Sequence, residues 1–240
     1  IVVRLVGSEM CIRDRHFREP GLTHKGEIAT ESKAAIAGGV TSYFEMPNVN
    51  PNTSTIENLE KKFDIAANKS YANYSFYLGA TNDNIEEIKK SDPNASCGLK
   101  VFMGASTGDL LVNKYESLEK IFEHCPTNIV THCEDPKRLV ENENIFQEKY
   151  GDQLHAAHHA VIRDEECCYL SSSLAVGLAK RFGANLHVLH LSTKREMDLF
   201  EPGPIDNKKI TAEGCVHHLT FSDKDYDCLL YTSDAADDIP

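Results

Sequence analysis

The chain lacks several features that mark common classes of binding protein. Its formal net charge is −12 and it contains no long run of basic residues, which argues against nucleic acid or an anionic membrane as a main partner. No apolar segment approaches the roughly 20 residues that a membrane-spanning helix needs. No Gly-x-Gly-x-x-Gly motif follows a predicted strand, which weakens a dinucleotide-binding interpretation. We therefore expect neither nucleic acid nor membrane as a partner.

The chain also lacks any Cys-x-x-Cys pair, although it contains eight cysteines. This spacing excludes a zinc ribbon and a thioredoxin-like redox motif. Scattered cysteines in a chain of 240 residues are typical of reduced core residues in a cytoplasmic protein, whereas disulfide frameworks are typical of small secreted scaffolds. The hydrophobic fraction of 41% fits an ordinary globular protein.

The two ends of the sequence have an unusual character. The chain starts with Ile1 rather than Met, and residues 8–15 and 230–238 resemble recurrent non-native tails of the kind produced by translated adapter sequence. We therefore predict one native domain at residues 16–227, with non-native tails at 1–15 and 228–240. The middle contains no internal repeat and no low-complexity linker.

Short apolar runs alternate with helical patterns along the middle of the chain. The predicted strands, each rich in β-branched or aromatic residues, are 40–46, 74–80, 98–103, 128–132, 186–191 and 209–216, with one more expected before His16. The predicted helices include 28–37, 116–125, 165–182 and two that begin at capping boxes, 54–57 and 193–196. This alternation predicts an α/β fold, a (β/α)8 TIM-like barrel that lacks its last strand.

Three histidines and one lysine stand out against this pattern. His16, His132 and His190 lie at or just after strand ends, which converge on one face of a barrel, and neutral imidazole suits zinc. Each histidine alone is more typical of a polar strand end than of a metal ligand. Lys100 interrupts an apolar strand, so it either extends to solvent or is buried and paired, neutral or modified. A neutral lysine can capture carbon dioxide as a carbamate that bridges two cations.

Several motifs resemble those of dihydroorotase-type cyclic amidohydrolases. The most specific are His-Phe-Arg-Glu-Pro-Gly from residue 16 and Met-Pro-Asn from residue 46. Gly-Leu-Lys-Val-Phe-Met-Gly from residue 98, Thr-His-Cys-Glu-Asp from residue 131 and the segment 187–193 are similar to the strands that carry the family's metal ligands. Thr-Ala-Glu from residue 211 and His-His-Leu from residue 217 are similar to the seventh-strand region. The resemblance covers nearly all of residues 16–221.

The resemblance implies a metal-dependent hydrolase with two divalent metal ions, zinc in most members. His16 would hold the first ion, and His132 and His190 would hold the second. Lys100, as the carbamate formed with carbon dioxide, would bridge both. The fold that this family implies is a TIM-like barrel of the metal-dependent hydrolase type.

The resemblance also implies a small-molecule substrate with a carboxylate, which Arg18 and Asn48 would bind. The implied reaction interconverts N-carbamoyl-L-aspartate and dihydroorotate in pyrimidine biosynthesis. Two alternatives stay open: an allantoinase- or hydantoinase-like hydrolase, and an inactive homologue with a structural role. A homo-oligomer is compatible with either.

The sequence departs from the family pattern at two ligand positions. Asp14 occupies the place of the first histidine in the family's His-x-His motif. The eighth-strand aspartate, which serves the family as a metal ligand and general base, has no counterpart, since Asp234, Asp237 and Asp238 match no motif. The catalytic residue is therefore unassigned, and we expect the 240-residue chain itself to be inactive.

Overall fold

The computed structural model describes residues 11–104 and 108–226, so of the tails predicted at 1–15 and 228–240 only residues 11–15 are described, and the rest lies outside the described residues. Seven strands form one sheet in consecutive order, and every adjacent pair is parallel. The strands are β1 (Cys11–Arg15), β2 (Ser42–Glu45), β3 (Asn73–Gly79), β4 (Gly98–Phe102), β5 (Ile129–His132), β6 (Leu186–Leu191) and β7 (Ile210–Gly214).

Helices connect most of these strands, as parallel pairing requires. The α-helices of the described residues are α1 (Ile28–Ala37), α2 (Ile56–Lys69), α3 (Ile85–Lys89), α4 (Tyr115–His124), α5 (Pro136–Tyr150), α6 (His159–Ile162), α7 (Glu165–Phe182) and α8 (Val216–Thr220). Short 3₁₀ turns occur at Gly108–Leu110, Gly151–Gln153, Ala156–His158, Arg195–Leu199 and Asp223–Asp225. The connection from β6 to β7 contains only such a turn.

The predicted α/β alternation is confirmed, and the strand expected before His16 is present as β1. Helices α1 and α7 have the predicted bounds, and α7 ends at Gly183 with φ 69°, a left-handed conformation that glycine adopts without strain. The strand bounds differ from the predicted ones by two residues at most.

The capping box predicted at residues 54–57 is wrong by one residue. Thr55, not Ser54, has extended backbone angles (φ −128°, ψ 155°) and accepts a hydrogen bond from the Asn58 amide at 3.2 Å. In the second predicted box, Glu196 accepts bonds from the Thr193 amide at 3.3 Å and hydroxyl at 2.8 Å, but the N-cap is Lys194, which makes no side-chain cap bond. That box begins only the five-residue 3₁₀ turn Arg195–Leu199.

The sheet has an outer face against the helices and an inner face on the concave side. Leu99 and Val101 of β4 belong to the large cluster that includes the apolar faces of α2, α4 and α7. A separate cluster of Met46, Tyr77, Val130 and Leu189 fills the inner face of β2, β3, β5 and β6. Successive strand residues therefore alternate between the helix layer and the interior.

The sheet curls far enough to bring its first and sixth strands together. Asp14 of β1 lies 3.6 Å from His190 of β6, between the Asp14 Oδ2 and His190 Nε2 atoms. Within residues 11–226, β1 and β7 each pair on one side only, so the sheet is a partly closed barrel of seven strands. This architecture is consistent with the predicted TIM-like barrel without its last strand. No helix in the described ranges is long and apolar enough to cross a membrane.

Candidate metal centre

A cavity opens at the carboxyl ends of the strands, where barrel folds place their ligand sites. Its volume is about 1730 Å³, and its wall includes residues from β1, β5, β6 and β7. The titratable residues of the wall nearest the predicted metal ligands are Asp14, His16, His132, Glu134, His190 and Glu213. The structure therefore brings the three predicted histidines to one cavity, although they are separated by up to 174 residues in sequence (190 − 16).

Lys100 faces the interior of the curled sheet rather than the helices. Its neighbours Leu99 and Val101 pack on the helix layer, and its register partner on β5 is Val130 of the inner cluster. Only 1% of Lys100 is exposed. Burial lowers the pKa of its ammonium group to about 8, and the nearby carboxylates of Asp14 and Glu213 oppose that shift. A substantial fraction of this buried amine is thus neutral at mildly alkaline pH.

His190 reaches the interior through an irregularity in β6. Val188 packs on the helix layer and Leu189 packs inside, so strict alternation would turn His190 outward. Instead the register with β7 shifts between Val188 and Leu191, and His190 has a φ of 38°. Bulges of this kind re-aim a side chain. The His190 Nε2 atom consequently lies 3.2 Å from His132 Nδ1.

Asp14 is the link between β1 and the other ligand candidates. Its Oδ1 atom lies 3.2 Å from His16 Nε2, and its Oδ2 atom lies 3.6 Å from His190 Nε2. Burial alone would raise the pKa of the Asp14 carboxyl, but His16, Lys100 and His190 together lower it well below its ordinary value. The carboxylate is therefore ionised and lies among basic side chains.

His132 is held in place by a buried ion pair. The Glu134 carboxylate lies 2.8 Å from His132 Nε2 and accepts bonds from Arg163 Nη1 at 2.5 and 2.6 Å. Burial opposes ionisation of Glu134, yet His132 and Arg163 lower its pKa to about 2. Because the Glu134 carboxylate accepts a bond from Nε2 of His132, the other ring nitrogen, Nδ1, can face a metal ion.

These side chains fit a site for divalent cations. The Asp14 Oδ1 atom is buried without a hydrogen bond, and it faces His16 Nε2. His16 Nδ1 lies 2.7 Å from Asn48 Oδ1, so a neutral ring that donates to Asn48 would present an unprotonated Nε2 to the carboxylate. Two ligands bound to one tetrahedral zinc at about 2.0–2.1 Å lie about 3.3 Å apart. Taken pair by pair, the observed spacings of 3.2 to 3.6 Å are close to that distance.

Arg18 and Asn48 lie beside His16, outside the cavity wall itself. The Arg18 guanidinium donates to the Asn48 carbonyl at 3.4 Å, and the Arg18 amide donates to the Glu45 carboxylate at 3.1 Å. Arg18 has a φ of 69°, a conformation that is rare for non-glycine residues. The structure thus groups both predicted substrate-binding residues with one predicted metal ligand.

Glu134, Arg163 and Glu213 belong to the cavity wall, although no sequence motif assigned a role to any of them. Glu134 and Arg163 hold His132, as described above. Glu213 of β7 lies 3.2 Å from His187 of β6, which also lies 2.9 Å from the Thr211 hydroxyl and lines a second pocket with Tyr77 and Val130. Glu134 and Glu213 stand inside quoted motifs, but no sequence pattern marked Arg163, which directly follows α6 as its C-cap.

Comparison with known proteins gives a consistent set of relatives. An allantoinase from Streptomyces avermitilis is 31% identical over 212 residues, which cover 86% of this chain and 46% of the relative. A dihydroorotase from Methanosarcina mazei is 30% identical over 223 residues, which cover 89% and 48%. The matches support the cyclic amidohydrolase superfamily. No family model matches the chain.

Solved structures agree with this assignment at the level of the fold. The L-hydantoinase from Arthrobacter aurescens superposes with a TM-score of 0.83 at 22% identity, over 91% of this chain and 49% of that one. A D-hydantoinase superposes with a TM-score of 0.77 at 18% identity, over 92% and 49%. The chain spans about half the length of the curated relatives it matches.

Proposed function

We propose that the chain belongs to a metal-dependent hydrolase of the dihydroorotase type, which interconverts N-carbamoyl-L-aspartate and dihydroorotate. The observation that supports this most is the grouping of Arg18, Asn48 and His16 next to a cluster of metal-ligand side chains. An arginine fork binds a carboxylate through two parallel hydrogen bonds, and an asparagine amide adds a neutral donor. Dihydroorotate and its open form both carry the carboxylate that such a group would hold.

The cofactor proposal follows from the same residues. His16, Lys100, His132 and His190 would hold two divalent ions, zinc by preference, which supply Lewis-acid activation of the amide and of water. The neutral amine of Lys100 adds to carbon dioxide with loss of one proton, giving a carbamate that presents two oxygens. Burial assists this addition because it lowers the pKa of the ammonium group to about 8. Asp14 stands where it can contribute a further oxygen ligand.

A second proposal, an allantoinase- or hydantoinase-like activity, is favoured by a different observation. An allantoinase from Bacillus velezensis is 32% identical over 88% of this chain, slightly above the Methanosarcina dihydroorotase. The ring of allantoin carries no carboxylate, so Arg18 would have no anionic partner there. A third proposal is an inactive homologue with a structural role in a cytoplasmic assembly, and the retained metal-ligand side chains count against it.

The discriminating experiment uses a longer protein, because the chain covers about half of each relative. We would join residues 1–220 to the segment that follows the matched region in the Methanosarcina dihydroorotase and supply zinc and bicarbonate. Hydrolysis of dihydroorotate, but not of allantoin or hydantoin, is the expected result. Preference for allantoin would replace the first proposal with the second, and no activity despite bound zinc would favour the structural one. We expect the 240-residue chain alone to be inactive.

A further inference from the structure

A second group of metal-ligand side chains follows β7, apart from the four predicted ligands. Cys215, His217 and His218 each offer one ligand atom, and these three atoms all lie within 4.8 Å of one another. All three residues belong to the wall of the cavity. Nothing in the proposed amide hydrolysis uses them.

Local backbone structure creates this cluster. Cys215 is the N-cap of α8 and is extended, with φ −90° and ψ 146°, while His217 and His218 lie in the first turn. The turn at the cap brings the thiol back over the start of the helix, and the two imidazole rings meet edge to face with centroids 4.2 Å apart. Cys215 is half-buried, and both histidines are exposed, so their side chains are free to rotate toward a common centre.

The chemistry of the group selects a class of cation. One thiolate and two imidazoles are ligands that zinc, cobalt and copper prefer, whereas magnesium and calcium require oxygen. Zinc lies about 2.3 Å from sulfur and about 2.0–2.1 Å from nitrogen, so the ligand atoms must approach one another by roughly 1 Å on binding. Three protein ligands leave the fourth tetrahedral position open.

The surrounding charges also favour a cation. Burial raises the pKa of the Cys215 thiol, the carboxylates of Glu213 on β7 and Asp14 on β1 raise it further, and Arg15 opposes them. Both carboxylates belong to the same cavity wall as Cys215. Val216, between Cys215 and the histidines, is 79% exposed.

We propose that Cys215, His217 and His218 form a separate mononuclear site for a thiophilic divalent cation at the wall of the cavity. The site does not depend on the proposed amidohydrolase activity, because it uses none of the predicted ligands His16, Lys100, His132 or His190. Occupancy would fix the segment after β7 relative to the strand.

The test is cobalt binding to the full 240-residue chain under reducing conditions. Cobalt bound to a thiolate gives a sulfur-to-metal absorption in the near ultraviolet, and a histidine and carboxylate site does not. We expect this band to saturate at one cobalt per chain and to disappear in Cys215→Ser. His217→Ala and His218→Ala should each weaken cobalt binding and change the visible bands of tetrahedral cobalt.

Matched controls separate this site from general effects of substitution. Cys125→Ser removes a half-buried thiol at the end of α4, and His124→Ala removes an exposed histidine beside it. Both should keep the band and its affinity. Far-ultraviolet circular dichroism checks that each variant is folded, and protection of Cys215 from a thiol reagent by zinc provides a second readout. A band that survives Cys215→Ser, equal loss in Cys125→Ser, or no thiolate band in the unmodified chain would overturn the proposal.

Discussion

The buried pair of Lys62 and Glu45 offers the sharpest test of how the fold supports the site. Both side chains are fully buried, and the Lys62 Nζ atom lies 3.0 Å from Glu45 Oε2. Lys62 also donates to the Met46 carbonyl at 2.9 Å, and Glu45 accepts from the Arg18 amide at 3.1 Å. The pair therefore connects α2, β2 and the residue proposed to bind the substrate carboxylate.

Replacement of Lys62 by Met keeps a chain of similar length but leaves the Glu45 carboxylate buried without its cation. Removing one partner of a buried ion pair lowers the free energy of unfolding by about 3–5 kcal/mol. The remaining bond from Arg18 satisfies only one carboxylate oxygen, so the loss should fall within that range. Urea denaturation monitored by circular dichroism at pH 7 and 25 °C measures it.

The pH dependence of Lys62→Met gives an independent check. Burial raises the pKa of the Glu45 carboxyl above its ordinary value, although Lys62 and Arg18 oppose the shift. Without Lys62 the pKa of the Glu45 carboxyl rises further. Lys62→Met therefore destabilises the chain at pH values above the ordinary pKa of glutamate, and this loss decreases as the pH falls through the raised pKa of Glu45. The loss measured at pH 5 should therefore be smaller than the loss at pH 8.

Two further variants complete this experiment. Lys61→Met alters the adjacent exposed lysine, whose partner Glu57 is also exposed, and should leave the urea midpoint unchanged. Lys62→Met combined with Glu45→Gln should recover most of the lost stability, because no charge is then left unpaired. A loss below about 1 kcal/mol for Lys62→Met, or a loss that grows toward acid pH, would refute the reasoning.

Three other predictions address the cap of α7 and the proposed site. Asp164 accepts from the Cys167 amide at 2.9 Å, so Asp164→Ala should destabilise the chain by about 1 kcal/mol in urea at pH 7. The pKa of the Asp164 carboxyl is lowered chiefly by the bond from Arg138. The stability difference between Asp164→Ala and the unmodified chain should therefore decrease as the pH drops below the ordinary pKa of aspartate. A difference that does not change with pH would contradict this prediction. Lys100→Arg keeps a cation but cannot form a carbamate. Bicarbonate should increase the zinc bound by the unmodified chain, measured by atomic emission, and should give no such increase in the variant. An equal gain in both proteins would remove Lys100 from the metal site. Arg18→Ala in the extended protein should raise KM for carbamoyl-aspartate with little change in kcat, and an unchanged KM would favour the allantoinase-like alternative.

The sequence predicted the class of fold because the hydrophobic periodicities of strands and of helices are both local patterns. Strand β4 is buried on both faces, is apolar apart from Lys100 and begins at a glycine, a pattern typical of a buried parallel strand. Helix α7 carries its stop signal at Gly183, and the helix ends there. The error of one residue at Thr55 has a physical reason: Ser and Thr are both favoured at N-caps, and the backbone angles decide which of two neighbours takes the position.

The motifs also carried the resemblance that groups His16, Lys100, His132 and His190, and the comparisons support the superfamily. They did not show which face each side chain would occupy. Lys100 is buried because β4 lies in the middle of the sheet, between β3 and β5, and no local pattern fixes that position.

By itself, then, the sequence determined the alternation of strands and helices and the residues that can bind a cation, since both depend on neighbours along the chain. The tertiary structure alone decided how these residues meet. The irregularity at His190 turns it inward against the alternation of β6, and the curl of the sheet brings Asp14 from β1 beside it. Arg163 reaches His132 through Glu134 only because α6 returns to the end of β5. Such contacts depend on long-range packing, which no local pattern specifies.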